Sequence, residues 1–227
     1  MWVLGIDTAT RPGSAALARP GEVMAWAGLE EGGWHARDLL ARIDTVLAGA
    51  ASRPQDLSGI AVTVGPGSFT GVRIGMATAK GLAYSLNVGL AGLSTLEALA
   101  RAVLIDGPER PPRLCAAIEA GRGEVYAALF RVDGQEPFRE GPERSVQPAD
   151  LGPALPPGTL VAGDGAAVVF RAARAAGREV RMLHAQPLLA GPVALWGCRV
   201  IRPGDSYRPG TLRPSYVRPS DAETARR

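Results

Sequence analysis

The sequence predicts two α/β lobes, each a mixed sheet flanked by helices, and three observations carry that prediction. The chain opens on three short apolar segments separated by turn residues, which reads as an antiparallel meander. An apolar, β-branched run at Ile60–Val64 then leads straight into a glycine-rich loop and a helix. A solvated, Pro-rich stretch at 106–112 follows, and beyond it the order of strand, turn and strand begins again. The implied division is residues 1–104 for the first lobe, 113–218 for the second and 219–227 for a frayed tail. The halves share this outline without a sequence repeat.

Trp2–Ile6 is a buried strand ending at Asp7 and Thr8, and Arg11-Pro12-Gly13 turns the chain into a second strand, Ser14–Ala18. Pro20-Gly21 turns it again into Val23–Ala27. Leu39, Leu40, Ile43, Val46 and Leu47 recur at helical spacing over about 36–50, with Ser52-Arg53-Pro54 closing that helix. Ser68 is placed to cap a helix running to about Leu86. Val88–Leu90 is a short strand, and Ser94 caps a helix of Leu96, Leu99 and Val103. In the second half Leu114–Ile118 and Val125–Val132 are strands around Gly121-Arg122-Gly123. Leu160–Ala162 is another, ending in Gly163-Asp164-Gly165 before an Ala-rich helix. A last helix covers about 193–201, and 212–218 is extended.

With 46% hydrophobic residues and a mean hydropathy of +0.05, 227 residues can bury a real core, which excludes wholesale disorder. A net charge of +3 and scattered arginines permit RNA contact without requiring it. Two cysteines, Cys115 and Cys198, are too few for a disulfide framework and imply a reducing compartment. The N-terminus has no charged leader before Asp7, and no apolar run reaches the length of a membrane span. The expectation is a cytoplasmic chain that makes no use of a membrane.

The loop Gly65-Pro66-Gly67-Ser68-Phe69-Thr70-Gly71 has the layout of an anion site, because glycines admit a ligand to the backbone and helix N–H groups point at it. Its spacing matches neither a Walker loop nor a dinucleotide fingerprint, and a tight Pro-stiffened turn explains it equally. Gly71, Gly75, Thr78 or Ala79, and Gly81 or Leu82 then fall on roughly one stripe of small residues, with Ala77 and Ala83 beside it, and glycines inside a helix cost about 1 kcal/mol each unless close packing offsets them. Either the chain's own sheet or a partner helix must cover that stripe, while Arg73 and Lys80 lie on other faces. Asp7 with Thr8 and Thr10 suits either a hydrated Mg²⁺ or the backbone donors of the following turn. Asp7, Thr8, Gly65, Gly67 and Ser68 together form a candidate vestigial phosphate or nucleotide site. His35 and His184 are not spaced as a metal pair, and no nucleophile–base set assembles. No catalytic residue and no metal site is expected.

Leu4–Thr10, the string Gly65–Gly75, Lys80-Gly81-Leu82-Ala83, Gly92–Leu96, Ala117–Tyr126 and Pro214–Arg218 resemble the bacterial TsaB family. The resemblance implies the two-lobed actin/sugar-kinase-like (RNase H-like) fold. It also implies a non-catalytic role beside TsaD, the enzyme that places threonylcarbamoyl on the adenosine next to the anticodon of tRNA. TsaD-like proteins carry a His-x-x-x-His metal pair whose equivalents here are Thr95 and Leu99, neither of which replaces imidazole. Their second-lobe glycine-rich loop corresponds roughly to Ala120–Glu124. The family further implies TsaE, an ATPase, as a third component, self-association as a homodimer, and contact with tRNA only through the complex. No cofactor is expected in the isolated subunit, with ATP or ADP confined to the complex. The expected partner interface is Leu39, Ile43 and Val46 with Gly71, Arg73, Gly75 and Thr78. The sequence departs from the family in its compressed, Pro- and Arg-rich segment at 184–214. The competing classes are an ATP-dependent phosphotransferase or a metallopeptidase homologue, and a module that binds tRNA directly.

Overall fold

The computed structural model describes residues 1–28, 36–106, 110–208, 210 and 212–217; His35 and the tail 219–227 lie outside them. Along the first half run β1 (Trp2–Asp7), β2 (Ser14–Arg19), β3 (Glu22–Gly28), α1 (Ala36–Gly49), β4 (Leu57–Thr63), α2 (Phe69–Leu86), β5 (Gly89–Leu93) and α3 (Thr95–Asp106). The second half adds β6 (Arg113–Gly121), β7 (Glu124–Asp133), β8 (Glu136–Val146), α4 (Pro148–Ala154), β9 (Leu160–Ala162), α5 (Ala166–Ala175), β10 (Arg181–Met182) and α6 (Ala190–Val200). The described residues form two compact units, one within 1–98 and 188–214, the other within 99–187 and 215–217.

The first unit is a five-stranded sheet in the order β3-β2-β1-β4-β5. β1, β2 and β3 pair antiparallel, as the meander predicts, while β4 and β5 run parallel to β1. Strand alternation separates two faces of this sheet. Leu4, Ile6, Leu17, Ile60 and Val62 join Leu39, Ile43, Val46, Val72 and Met76 of α1 and α2 in one core. The opposite face is built from small residues because α6 lies unusually close to it. A Cβ on Gly5 would strike the Ala190 carbonyl, one on Gly59 the side chain of Ile201, and one on Gly197 the side chains of Ala61 and Val3. The Ala190 N–H also donates to Ser14 Oγ at 3.1 Å.

This placement of α6 differs from the expected division at 1–104 and 113–218, since 188–214 return to the first unit. The reason is the glycine and alanine surface of β1 and β4, which only a closely packed helix fills.

The second unit repeats the arrangement as β10-β9-β6-β7-β8, with β7 antiparallel to β6 and β8, and β9 parallel to β6 and β10. Cys115, Ala117, Val125, Val161, Val169 and Ala173 form its core with α4 and α5. β8, α4 and β10 have no counterpart in the sequence reading. β8 contains Pro137, Gly141, Pro142 and five charged residues, a composition that an outer strand tolerates because half of its backbone groups need no ladder partner.

Candidate functional site

The C-terminal end of β1, the loop after β4 and the first turns of α2 meet at one place in the first unit. Ser68 caps α2 as its sequence position predicts, its Oγ accepting the Gly71 N–H at 3.1 Å. The Ser68 N–H donates to the Ala9 carbonyl at 2.9 Å, so the loop is stapled to the turn after β1. Gly67 has φ +152°, and a Cβ there would strike that carbonyl. Glycine is therefore demanded by the chain's own backbone. The Gly65 carbonyl accepts the Thr95 N–H at 2.9 Å, tying the loop to the start of α3 as well.

Asp7 is fully buried and closed in by donors. The Ala9 N–H and Thr63 hydroxyl reach Oδ1 at 2.9 and 2.7 Å, and the Thr10 hydroxyl donates to Oδ2. Burial raises the carboxyl pKa above its ordinary value, against the lowering effect of those hydrogen bonds. Of the two readings of Asp7, the geometry matches the turn-capping one: its oxygens bind neighbouring backbone and hydroxyl donors and lie away from solvent. Thr8 is also buried, and its hydroxyl donates to the Gly71 carbonyl at 2.6 Å.

Gly71 and Gly75 face inward. A Cβ on Gly71 would meet the Thr8 carbonyl, and one on Gly75 the Thr8 hydroxyl, both well inside 3.0 Å. The stripe is thus covered at Gly71 and Gly75 by Thr8, just after β1, and by Val62 of β4 in the same chain, while Gly81, expected on the same stripe, is exposed with nothing near its missing Cβ.

That corrects the expected partner interface. Leu39, Ile43 and Val46 are at most 3% exposed, and with Gly71 and Gly75 they belong to the core of the first unit, where they offer no surface to another molecule. Periodicity marks a buried face without saying what buries it. Of the seven expected contact residues, Arg73 is exposed, with its guanidinium 3.7 Å from the Phe69 ring centroid, and Thr78 is half-buried. The outward faces of α1 and α2 carry instead Leu40, Asp44, Ala77, Gly81 and Tyr84. The signal that could have found them was the complement of the apolar stripe.

In the second unit the equivalent strand end is Glu119, whose N–H donates to Asp164 Oδ1 at 2.8 Å. The turn Gly121-Arg122-Gly123 joins β6 to β7, with all three residues at positive φ. The loop that follows the strand equivalent to β4 is Gly163-Asp164-Gly165, held by the Gly165 N–H on the Ala117 carbonyl at 3.1 Å. A glycine is required at 163, because a Cβ would strike the Ala117 carbonyl.

Thr95 and Leu99 sit on α3, exposed 0% and 2%. Among the described residues no group of three or more His, Cys, Asp or Glu could hold a metal ion. Cys115 is buried and its thiol pKa is pushed up to about 12, which removes it as a nucleophile at neutral pH.

Residues 33–164 match the family model described as TsaD: tRNA N6-adenosine threonylcarbamoyltransferase. The chain is 34% identical over 150 residues to the TsaB protein of Bacillus subtilis (strain 168), covering 66% of this chain and 64% of that protein. It is 38% identical over 135 residues to TsaB of Escherichia coli (strain K12), covering 59% and 56% respectively. Among solved structures, YeaZ from Pseudomonas aeruginosa superposes with a TM-score of 0.77 at 28% identity, over 95% of this chain and all of that one. The chain belongs to the TsaB family. Its sequence matches to these TsaB relatives span less than two thirds of their length. A ROK family protein from Streptococcus pneumoniae, TM-score 0.52 at 12% identity over 88% of this chain and 99% of that one, shares the fold alone. The architecture is the two-lobed actin/sugar-kinase-like fold. No helix among the described residues is long and apolar enough to cross a membrane.

Proposed function

We propose that this TsaB-family chain is a non-catalytic subunit in tRNA N6-threonylcarbamoyladenosine synthesis, the modification made next to the anticodon. In this reading it binds and supports a TsaD-type transferase, with TsaE as the third component. The names of its TsaB relatives support the pathway. The observation that carries the subunit role is on α3: where the resemblance to TsaD puts two metal-binding imidazoles, this chain has a buried threonine and a buried leucine. Thr95 offers a hydroxyl and Leu99 no donor atom, so the transition-metal chemistry of the partner has no counterpart here.

The phosphate-like loop supports the same assignment. The Ser68 N–H donates to the Ala9 carbonyl and the Gly71 N–H to the Ser68 hydroxyl, so the loop acts as a structural staple. No nucleotide resides in the isolated chain in this reading, and ATP or ADP belongs to the assembled complex. The outward faces of α1 and α2, with Leu40, Arg73, Ala77 and Gly81, form the surface offered to TsaD, or to a second copy when TsaD is absent.

Co-expression with TsaD and TsaE tests the role: modified tRNA should appear only when this chain is present. Ala77→Arg or Gly81→Arg should abolish co-purification with TsaD while leaving the melting temperature of the isolated chain nearly unchanged. Normal co-purification by both variants would refute this docking face. Calorimetry of the isolated chain should show no binding of Mg-ATP, and tight binding would restore the phosphotransferase alternative.

A further inference from the structure

Arginines are scattered along the sequence, and the fold gathers three of them on the α4–α5 ridge of the second unit. α5 buries Ala166, Val169 and Ala173, and Val168 and Phe170 pack against the same core. α4 lies so close to it that a Cβ on Gly152 would strike the backbone of Ala172 and Ala173. What α5 leaves exposed is Ala167, Arg171, Arg174 and Ala175, with the two arginines about 4.5 Å apart along the axis. The chain leaves the helix through Gly177 at φ +73°. Arg178 follows, exposed, and its Nε donates to the Pro153 carbonyl near the end of α4 at 2.7 Å.

The charge of this ridge is not neutralised. Exposed arginines elsewhere sit in local ion pairs, Arg19 with Glu22 at 2.7 Å, Arg53 with Asp56 at 3.3 Å and Arg139 with Glu143 at 3.0 Å. The side chains of Arg171 and Arg174 pair with no described residue, and the exposed carboxylates of Asp150 and Glu179, on α4 and after α5, engage neither of them. Residues 165–182 carry Arg171, Arg174, Arg178 and Arg181 against Glu179 alone. Complementing a helix C-terminus accounts for Arg174, in the last turn of α5, and for Arg178 on the α4 carbonyl. It does not account for Arg171, one turn earlier.

We propose that this ridge binds the phosphate backbone of duplex RNA. Arginine suits phosphate oxygens by its planar fork of donors. The exposed residues around the three cations are Ala167, Ala175, Ala176 and Gly177, which leave a rigid backbone room to approach. A protein partner needs large side chains to bury at the centre of its contact, and a membrane surface needs apolar ones to insert. None of the large exposed hydrophobics among the described residues lies on α4 or α5. Single strands are held by stacking on exposed rings, and the one ring of α5, Phe170, packs against the core. A duplex offers phosphates without asking for stacking, and contacts of this kind carry no sequence preference. The ridge lies in the second unit, so the inference does not rest on the docking face of α1 and α2.

Anisotropy of a labelled RNA hairpin with a long stem, titrated with the full chain from low salt upward, tests this. The logarithm of the affinity should fall linearly with the logarithm of salt, with a slope of about 2–3 for three arginines. Arg171→Ala with Arg174→Ala should reduce that slope by about 1.8, at roughly 0.9 per lost duplex phosphate, and weaken binding at least about tenfold at low salt. Arg171→Ala alone should lower the slope by about 0.9 and leave the melting temperature unchanged, which separates binding from helix-end stabilisation. Arg19→Ala with Arg53→Ala, ion-paired cations of the first unit, should leave the slope as it is. An unchanged slope in the Arg171/Arg174 double variant would overturn the proposal, as would an equal loss in the control pair. Tighter binding of an unstructured single strand than of the hairpin would overturn it too. Poly-glutamate that competes as strongly as RNA of equal charge would assign the ridge to an acidic protein instead.

Discussion

Replacing Gly75 by alanine separates the two explanations of the small-residue stripe on α2. If the stripe awaited a partner, the isolated chain would gain from the change, because alanine exceeds glycine in a helix interior by about 1 kcal/mol. The structure places Thr8 against it instead. The new methyl would collide with the Thr8 hydroxyl, while the Thr8 Cβ and Val62 Cγ2 would stand at an ordinary 3.5 and 3.6 Å. Overpacking costs about 1–3 kcal/mol, and displacing the hydroxyl also weakens its 2.6 Å bond to the Gly71 carbonyl, worth about 1 kcal/mol. Set against the gain in helix propensity, the net loss is about 1–3 kcal/mol. In a chain of this size that lowers the melting temperature by roughly 2–12 °C. Gly81, on the same helix with nothing near its missing Cβ, is the control, and Gly81→Ala should raise stability by up to about 1 kcal/mol. Thermal unfolding of both variants and of the Thr8→Ala/Gly75→Ala pair completes the cycle. Without the hydroxyl the methyl fits, so Gly75→Ala should cost little in the Thr8→Ala background, a coupling of about 1–3 kcal/mol. Equal gains for Gly75→Ala and Gly81→Ala, or strict additivity with Thr8→Ala, would refute the internal packing.

Two further outcomes follow from the same unit. Burial raises the Asp7 pKa, so the folded state holds its proton more tightly than the unfolded one; that advantage is complete at low pH and is lost as pH rises through the raised value. Asp7→Asn, whose amide can accept from Ala9 and Thr63 and donate to Thr10, should remove this loss, and the stability difference from wild type should grow with pH above the ordinary carboxylate range. A difference that stays flat in urea titrations across that range contradicts it. Gly5→Ala should displace α6 by driving a methyl into the Ala190 carbonyl and Ala194, at a cost of about 1–3 kcal/mol or more. Hydrogen exchange should quicken in 190–200 and stay unchanged in α5; unchanged protection of α6 would show that the close approach is not required.

Much of the fold was legible because it is local. Alternating apolar residues with turn residues between them specify the opening meander, and Ser68 and Ser94 announce helix starts through the donors that a helix leaves unpaired. β8 was not legible, since an outer strand buries too little to impose alternation, and Phe138 is 48% exposed even there. The candidate site was legible in its residues and not in its purpose. Asp7, Thr8, Gly65, Gly67, Ser68 and the stripe from Gly71 stood out because glycines and buried polar groups need a reason.

By itself, then, the sequence determined the two α/β units, the capped helices and the resemblance to TsaB, which matches Thr95 and Leu99 to positions where TsaD-like proteins carry imidazoles. Only the tertiary structure decided what the glycines face. Gly67 and Gly71 lie against carbonyls of Ala9 and Thr8, more than fifty residues away along the chain, and Gly5 lies against α6 from its far end. A missing Cβ records that something comes close, but its identity is set by long-range packing that periodicity does not contain. The same limit explains why Leu39, Ile43 and Val46 suggested an interface and proved to be core: an apolar stripe demands cover, and the chain supplied its own.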